Sequence, residues 1–283
     1  MSLDEQLRWE ARWARPAAAA AFLAGLLTLF SLTAFLPKDR KGIEATPDFL
    51  LSIHEDTGAY VASTITSAVA ALLLVGVFLY LFRAIIARAG GVPRWFVYMV
   101  IGAPIAYAVS RVAYAIEAID IADDFASGEP IRGKAGGDRA ADLSDVNPVV
   151  VALQVAGTVG VAFLFVMLPL RARRVGLLSP FIGVLGAIAG VLVVLPFAGI
   201  SPAIQAFWLG AVGALFLGRW PGGRGPAWES GEPEPWPTAA QRREELQPPP
   251  EPELEPGGEA EPQQEPEPVP ERPPSRKRRK RKR

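Results

Sequence analysis

The residue best placed to do chemistry in this chain is an arginine inside an apolar run. From Trp95 to Ile116 the sequence reads WFVYMVIGAPIAYAVSRVAYAI, and Arg111 is the charge within it. A guanidinium in hydrocarbon costs at least about 2.5 kcal/mol at mid-depth on insertion scales, so it faces protein or water and meets a partner. On a helix Tyr107 and Tyr114, four before and three after Arg111, share its face, and Glu117 follows at the next turn or so. A cation so placed suits a carboxylate, a phosphate or a lipid headgroup. Two ligand-free roles compete with binding: snorkelling of Arg111 to the nearer surface, or pairing with Glu117 or Asp120 that only fixes helix packing.

Other chemistry is thinly represented. The chain has no cysteine and one histidine, His54. That excludes thiolate nucleophiles, thiolate metal sites and paired-histidine zinc motifs. His54, Glu55 and Asp56 would need a further ligand from Asp120, Asp123 or Asp124 to hold a metal. One imidazole is a weak basis for a transition metal, and the D-x-D-x-D-G frame of a calcium loop is missing. Glu117 or His54 could serve as a base on a lipid headgroup, but neither has a second catalytic partner. The chain reads as non-enzymatic, with no catalytic residue, metal or cofactor expected.

The elements that must position Arg111 follow from hydropathy. Apolar runs extend from Ala17 to Leu36 and from Tyr60 to Phe82, then from Trp95 to Ile116, charged only at Arg111, and from Val149 to Leu170. A longer stretch, Leu177 to Leu217, is divided by a Gly-containing break at Phe197 to Ser201. At 1.5 Å per residue about 20 apolar residues match a hydrocarbon core of roughly 30 Å. The expected fold is all-α: a polytopic transmembrane bundle of six spans over residues 17–218. Each arm of the last stretch is near the short limit, so a re-entrant hairpin is an alternative for spans five and six. Residues 1–16 carry Leu3, Leu7, Trp9 and Trp13 on one arc and Arg8, Arg12 and Arg15 opposite, the pattern of an interfacial amphipathic helix.

Arginines crowd the short loops after spans two and four, precede span one and follow span six, whereas the loops 37–59 and 117–147 are longer and acid-rich. Basic residues in short loops resist translocation. The expected orientation has both termini in the cytoplasm. The Ala-, Gly-, Arg- and Pro-heavy composition suits a multi-pass protein of a bacterial plasma membrane.

In that orientation the polar residues of the spans share one depth near the outer face. Arg111 lies roughly 24 Å along its span. Thr64, Thr66 and Ser67 of span two, Gln154 of span four, Gln205 of span six, and Ser31 and Thr33 of span one fall in a similar layer. The expected site is an outward polar pocket on Arg111, lined by Tyr107, Tyr114, Glu117, Thr64, Ser67 and Gln154. Hydrogen bonding between helices without any ligand is the competing role of the hydroxyls. Ala152, Ala156 and Gly160, and Gly186 with Gly190, allow close backbone approach, inside the bundle or at a homo-oligomer seam.

Residues 219–283 change character to Pro- and Glu-rich sequence that cannot repay backbone ordering and is expected to be a disordered cytoplasmic tail. It ends in Arg276, Lys277, Arg278, Arg279, Lys280, Arg281, Lys282 and Arg283. This cluster suits anionic lipid of the inner leaflet, phosphate, or an acidic partner. No aromatic residues interleave it, so sequence-specific nucleic-acid recognition is not expected. A non-enzymatic protein with an outward pocket is the leading functional expectation. A small transporter or channel component for an anionic solute, and an assembly factor using the basic tail, are the alternatives.

Overall fold

The computed structural model describes residues 2–34, 47–89, 93, 95–128, 134–143, 146–195, 200–221 and 223–237. The regular elements among them are all α-helices. In chain order these are α1 (Leu3–Ala34), α2 (Pro47–Glu55), α3 (Thr57–Arg88), α4 (Phe96–Ser127) and α5 (Lys134–Leu143), then α6 (Pro148–Arg174), α7 (Pro180–Val194), α8 (Ile200–Phe216) and α9 (Pro226–Ser230). Four of them, α1, α3, α4 and α6, are long and apolar enough to cross a membrane. Helices α7 and α8 are apolar but have 15 and 17 residues, roughly 22 and 26 Å against a hydrocarbon core of about 30 Å.

The six apolar helices close into a ring. Helix α1 packs on α3, α3 on α4, α4 on α6, α6 on α7, α7 on α8, and α8 returns to α1, while α3 also meets α6 across the middle. Phe78 of α3 and Trp208 of α8 each stand edge-on to Phe165 of α6 at 5.1 Å, filling the centre. Trp208 satisfies its indole by donating to the Ile182 carbonyl at 3.0 Å. Outside the ring, Leu26, Ile65, Val109, Val155 and Val191 are exposed. Contiguous apolar surface of this kind is costly in water and natural against lipid. The architecture is compatible with an integral membrane protein.

Helix α1 runs unbroken from the leader into the first apolar run. The boundary expected at residue 16 is not a break, because Gln6, Glu10, Ala14, Ala17, Ala18, Ala21 and Ala24 form one buried stripe at helical spacing. Pro16 sits within the helix on its exposed side. There it removes a backbone donor, while the stripe packs on α3 and α8 on either side of it.

At the end of the ring where α1 begins and α3 finishes, a buried ion pair ties the chain together. Glu10 Oε1 and Oε2 accept from Arg88 Nη1 at 2.5 Å and Nη2 at 2.9 Å. Arg88 Nε and Nη2 donate to the Ala227 carbonyl, and Nη1 donates also to that of Ala84. All five N–H groups of the guanidinium are thereby used. Gln6 Nε2 donates to Glu10 Oε1, and Tyr80 Oη donates to the Glu10 carbonyl. Tyr80 stacks between Trp9 and Trp228 at 5.6 and 5.5 Å, and Arg224 lies over the Trp228 ring at 4.9 Å.

This arrangement corrects two expectations. Arg88, which by its place in the sequence belongs with the loop cations, is a buried helix residue. Residues from Arg219 onward do not leave the fold at once: the folded unit reaches Trp236. Trp228 anchors the extension by donating to the Leu177 carbonyl at 2.8 Å, and the Glu234 amide reaches the Val175 carbonyl. The basic cluster 276–283 lies outside the described residues.

Removing one member of the pair leaves the other buried and uncompensated. Glu10→Gln or Arg88→Met should therefore lower unfolding free energy in detergent by about 3–5 kcal/mol. The double variant should recover part of that loss. Trypsin cleavage at Arg224 should accelerate in either single variant, reporting release of α9.

Candidate functional site

The site lies toward the opposite end of the ring. Helices α1 and α3 are antiparallel, so the seam that begins at Glu10 and Arg88 ends where Ser63 Oγ of α3 donates to the Ser31 carbonyl of α1 at 2.8 Å. Beside that bond is a cavity of about 370 Å³ lined by Ser31, Ser63, Ser67, Tyr107, Arg111 and Gln205, with Thr28 and Ser201 also on its wall. Leu74, Phe165 and Leu209 give it an apolar floor, continuous with the filled centre of the ring.

Among the described residues Arg111 is the one cation on the wall, and no carboxylate lines the cavity. Its Nε is buried without a hydrogen-bond partner. Neither of the pairings that would account for the residue by packing alone is formed. Glu117 Oε2 instead accepts from the Asn147 amide at 3.1 Å, holding the start of α6. Asp120 is exposed, and among the described residues Arg111 makes no ion pair.

Four of the wall's hydroxyls contribute oxygen rather than hydrogen. Thr28 Oγ1 donates to the Ala24 carbonyl, Ser31 Oγ to that of Thr28, Ser63 Oγ to that of Ser31 and Ser67 Oγ to that of Thr64. Each hydroxyl proton is thus committed to backbone, leaving lone pairs that can accept. Gln205 spends one amide N–H on Ser201 Oγ at 2.9 Å. The wall therefore combines a guanidinium with a set of neutral acceptors and with the hydroxyls of Tyr107 and Ser201.

Helix α4 is set by its contact with α6. A Cβ at Gly157 would stand 2.6 Å from the Tyr107 amide nitrogen, so only glycine lets the two backbones meet there. Pro104 precedes Tyr107 by one turn, and the part of α4 that lines the cavity begins just beyond it. The spacing of four from Tyr107 to Arg111 then turns both side chains to the same space.

Of the residues expected at the site, Arg111, Tyr107 and Ser67 come together. Thr64 is buried beside the cavity but does not line it, and Gln154 is half-buried on α6 outside the lining. Tyr114 packs into a separate apolar cluster of α2, α3, α4 and α5 built on Leu50, Ile53, Tyr60, Phe125 and Ala140. Glu117 is the Asn147 partner already described. The lining residues missed were Thr28, Ser63 and Ser201. Ser63 had a partial signal, because it shares a helix face with Ser67 at a spacing of four, whereas Thr64 and Thr66 do not line the cavity.

His54 lies nearby on α2, with Nδ1 2.7 Å from Asp123 Oδ1 of α4 in an exposed contact. Among the described residues no three His, Asp or Glu side chains gather to hold a metal ion. Gly186 and Gly190 serve packing within the ring: a Cβ at Gly190 would meet the Ala162 carbonyl at 2.6 Å. Ala152 and Ala156 are exposed on α6.

Gly157→Ala should force α4 from α6, lower thermal stability by about 1–3 kcal/mol as overpacked contacts do, and change the reactivity of a cysteine placed at Ser67 toward a small thiol reagent. The chain matches no protein-family model, and comparison with curated proteins and with solved structures finds no match.

Proposed function

We propose that the protein is a six-span, non-enzymatic integral membrane protein of a bacterial plasma membrane, with both termini cytoplasmic and an outward pocket that binds a small anion at Arg111. The observation that carries this reading is the buried, unpartnered Nε of Arg111 beside a cavity with no carboxylate among its described lining residues. A desolvated donor left unmet costs about 1–3 kcal/mol, a cost a bound anion would relieve. An anion that also brings hydrogen donors, such as hydrogen phosphate or a hydroxycarboxylate, would use the committed hydroxyls as acceptors and Arg111 with the Tyr107 and Ser201 hydroxyls as donors. The basic cluster 276–283 would hold the tail against anionic inner-leaflet lipid or an acidic partner.

Arg111→Met should raise the melting temperature of the unliganded protein in detergent, because it removes an unmet charge. In the parent chain glycolate should raise the melting temperature more than acetate at equal ionic strength, and hydrogen phosphate should do so as well. None of these anions should distinguish itself from chloride in Arg111→Met. Equal responses of parent and variant would overturn the reading.

A transporter or channel component is the second reading, since a cavity closed toward one end by Phe78, Phe165 and Trp208 has the form of one access state. Phosphate flux into proteoliposomes that disappears in Arg111→Ala would favour it; binding without flux favours the first.

A further inference from the structure

At the other end of the α1–α3 seam, two recesses meet at one arginine. An apolar groove of about 210 Å³ runs between the helices, lined by Trp9, Trp13, Ala17, Gly76 and Leu79, with Arg83 at its mouth. Seven residues separate Gly76 from Arg83, so the groove extends roughly 10 Å along α3. A wider polar recess of about 710 Å³ lies beyond Arg83, with Ser2, Gln6, Arg88 and Glu232 on its wall.

The charges in that recess are not equivalent. Arg88 is fully engaged with Glu10, Ala84 and Ala227, and the Gln6 amide donates to Glu10. Arg83 is exposed and lies 5.0 Å from the Trp9 ring centroid, which leaves its N–H groups unmet among the described residues. The exposed carboxylate of Glu232 likewise has no ion pair there. One free cation and one free anion among the described residues face a shared recess, next to a groove whose lining is mostly apolar and aromatic. Tryptophans at the mouth mark the level where headgroups lie.

We propose that this groove and recess bind one glycerophospholipid whose headgroup carries a primary amine. An acyl chain lies along Gly76, the phosphate meets Arg83, and the ammonium meets Glu232. A guanidinium binds phosphate by paired, charge-assisted hydrogen bonds; a carboxylate accepts charge-assisted bonds from a primary ammonium, gets no N–H from a quaternary one, and repels a glycerol headgroup of net negative charge. The site shares only the membrane setting with the Arg111 pocket.

The test uses the full chain in phosphatidylcholine nanodiscs with a small fraction of brominated lipid, read by quenching of tryptophan emission. Brominated phosphatidylethanolamine should give a saturable component about two- to fivefold stronger than equal amounts of phosphatidylcholine or phosphatidylglycerol, the range expected of exposed ion pairs. Arg83→Gln should remove the preference and Arg83→Lys should restore much of it. Glu232→Gln should shift the preference to phosphatidylglycerol. Gly76→Leu should abolish the saturable component by filling the groove; the site admits a side chain, since a Cβ there stands 3.7 Å from that of Ala20. Arg111→Met should leave every one of these results unchanged. Equal quenching by the three lipids in the parent chain overturns the proposal, as does a preference unmoved by Arg83→Gln, Glu232→Gln or Gly76→Leu.

Discussion

Glu10 and Arg88 have both left water, with side chains 2% and 0% exposed, and the bundle is organised by the need to compensate them. Moving a carboxylate and a guanidinium out of water is costly, and an apolar pair of similar volume often packs as stably. What this pair adds is a unique alignment. Only one register of α1 against α3 offers the guanidinium a bidentate carboxylate, and only a chain that returns to place Ala227 beside it completes the remaining donors. Distant parts of the sequence are committed to one geometry by a single side chain.

That alignment propagates along the seam. Helices do not slip past each other by fractions of a turn when one end is pinned, so the Ser63–Ser31 bond at the far end inherits the register set at Arg88. Between the two ends the ring is filled by Phe78, Phe165 and Trp208, whose edge-on contacts separate the Arg111 cavity from the end that carries Glu10 and Arg88. Polar groups thus gather at each end of a dry centre.

Much of the bundle was legible in the sequence because apolar runs of helical length are a local property. Arg111 was equally visible, since a charge among apolar neighbours needs no partner to be noticed. What depth alone could not provide was helical phase: Thr64 and Ser63 lie at the same level, but one is sealed in packing and the other faces the cavity. Tyr114 shares a face with Arg111 and Glu117 follows six positions on, yet both stand apart from the pocket, because α2 and α5, which draw that part of α4 into their own cluster, lie in stretches that read as outer loops. The Glu10–Arg88 pair spans 78 positions and leaves no local trace in either segment. The extension of the folded unit to Trp236 was hidden by composition, for the Pro- and Glu-rich sequence begins before the aromatic anchors Trp228 and Trp236 are past.

The shortness of α7 and α8 has a consequence for the surroundings. A bilayer against the long helices meets a full hydrocarbon thickness, whereas along the α7–α8 edge it meets several ångströms less, and lipid adjusts to such mismatch by thinning. Leu192, Val193, Ser201 and Pro202, at the adjoining ends of these two helices, line the Arg111 cavity. The leaflet should therefore dip beside that wall, drawing the water interface toward the arginine and weakening the field of hydrocarbon around it. A bilayer reshaped in this way would lower the cost of the charge.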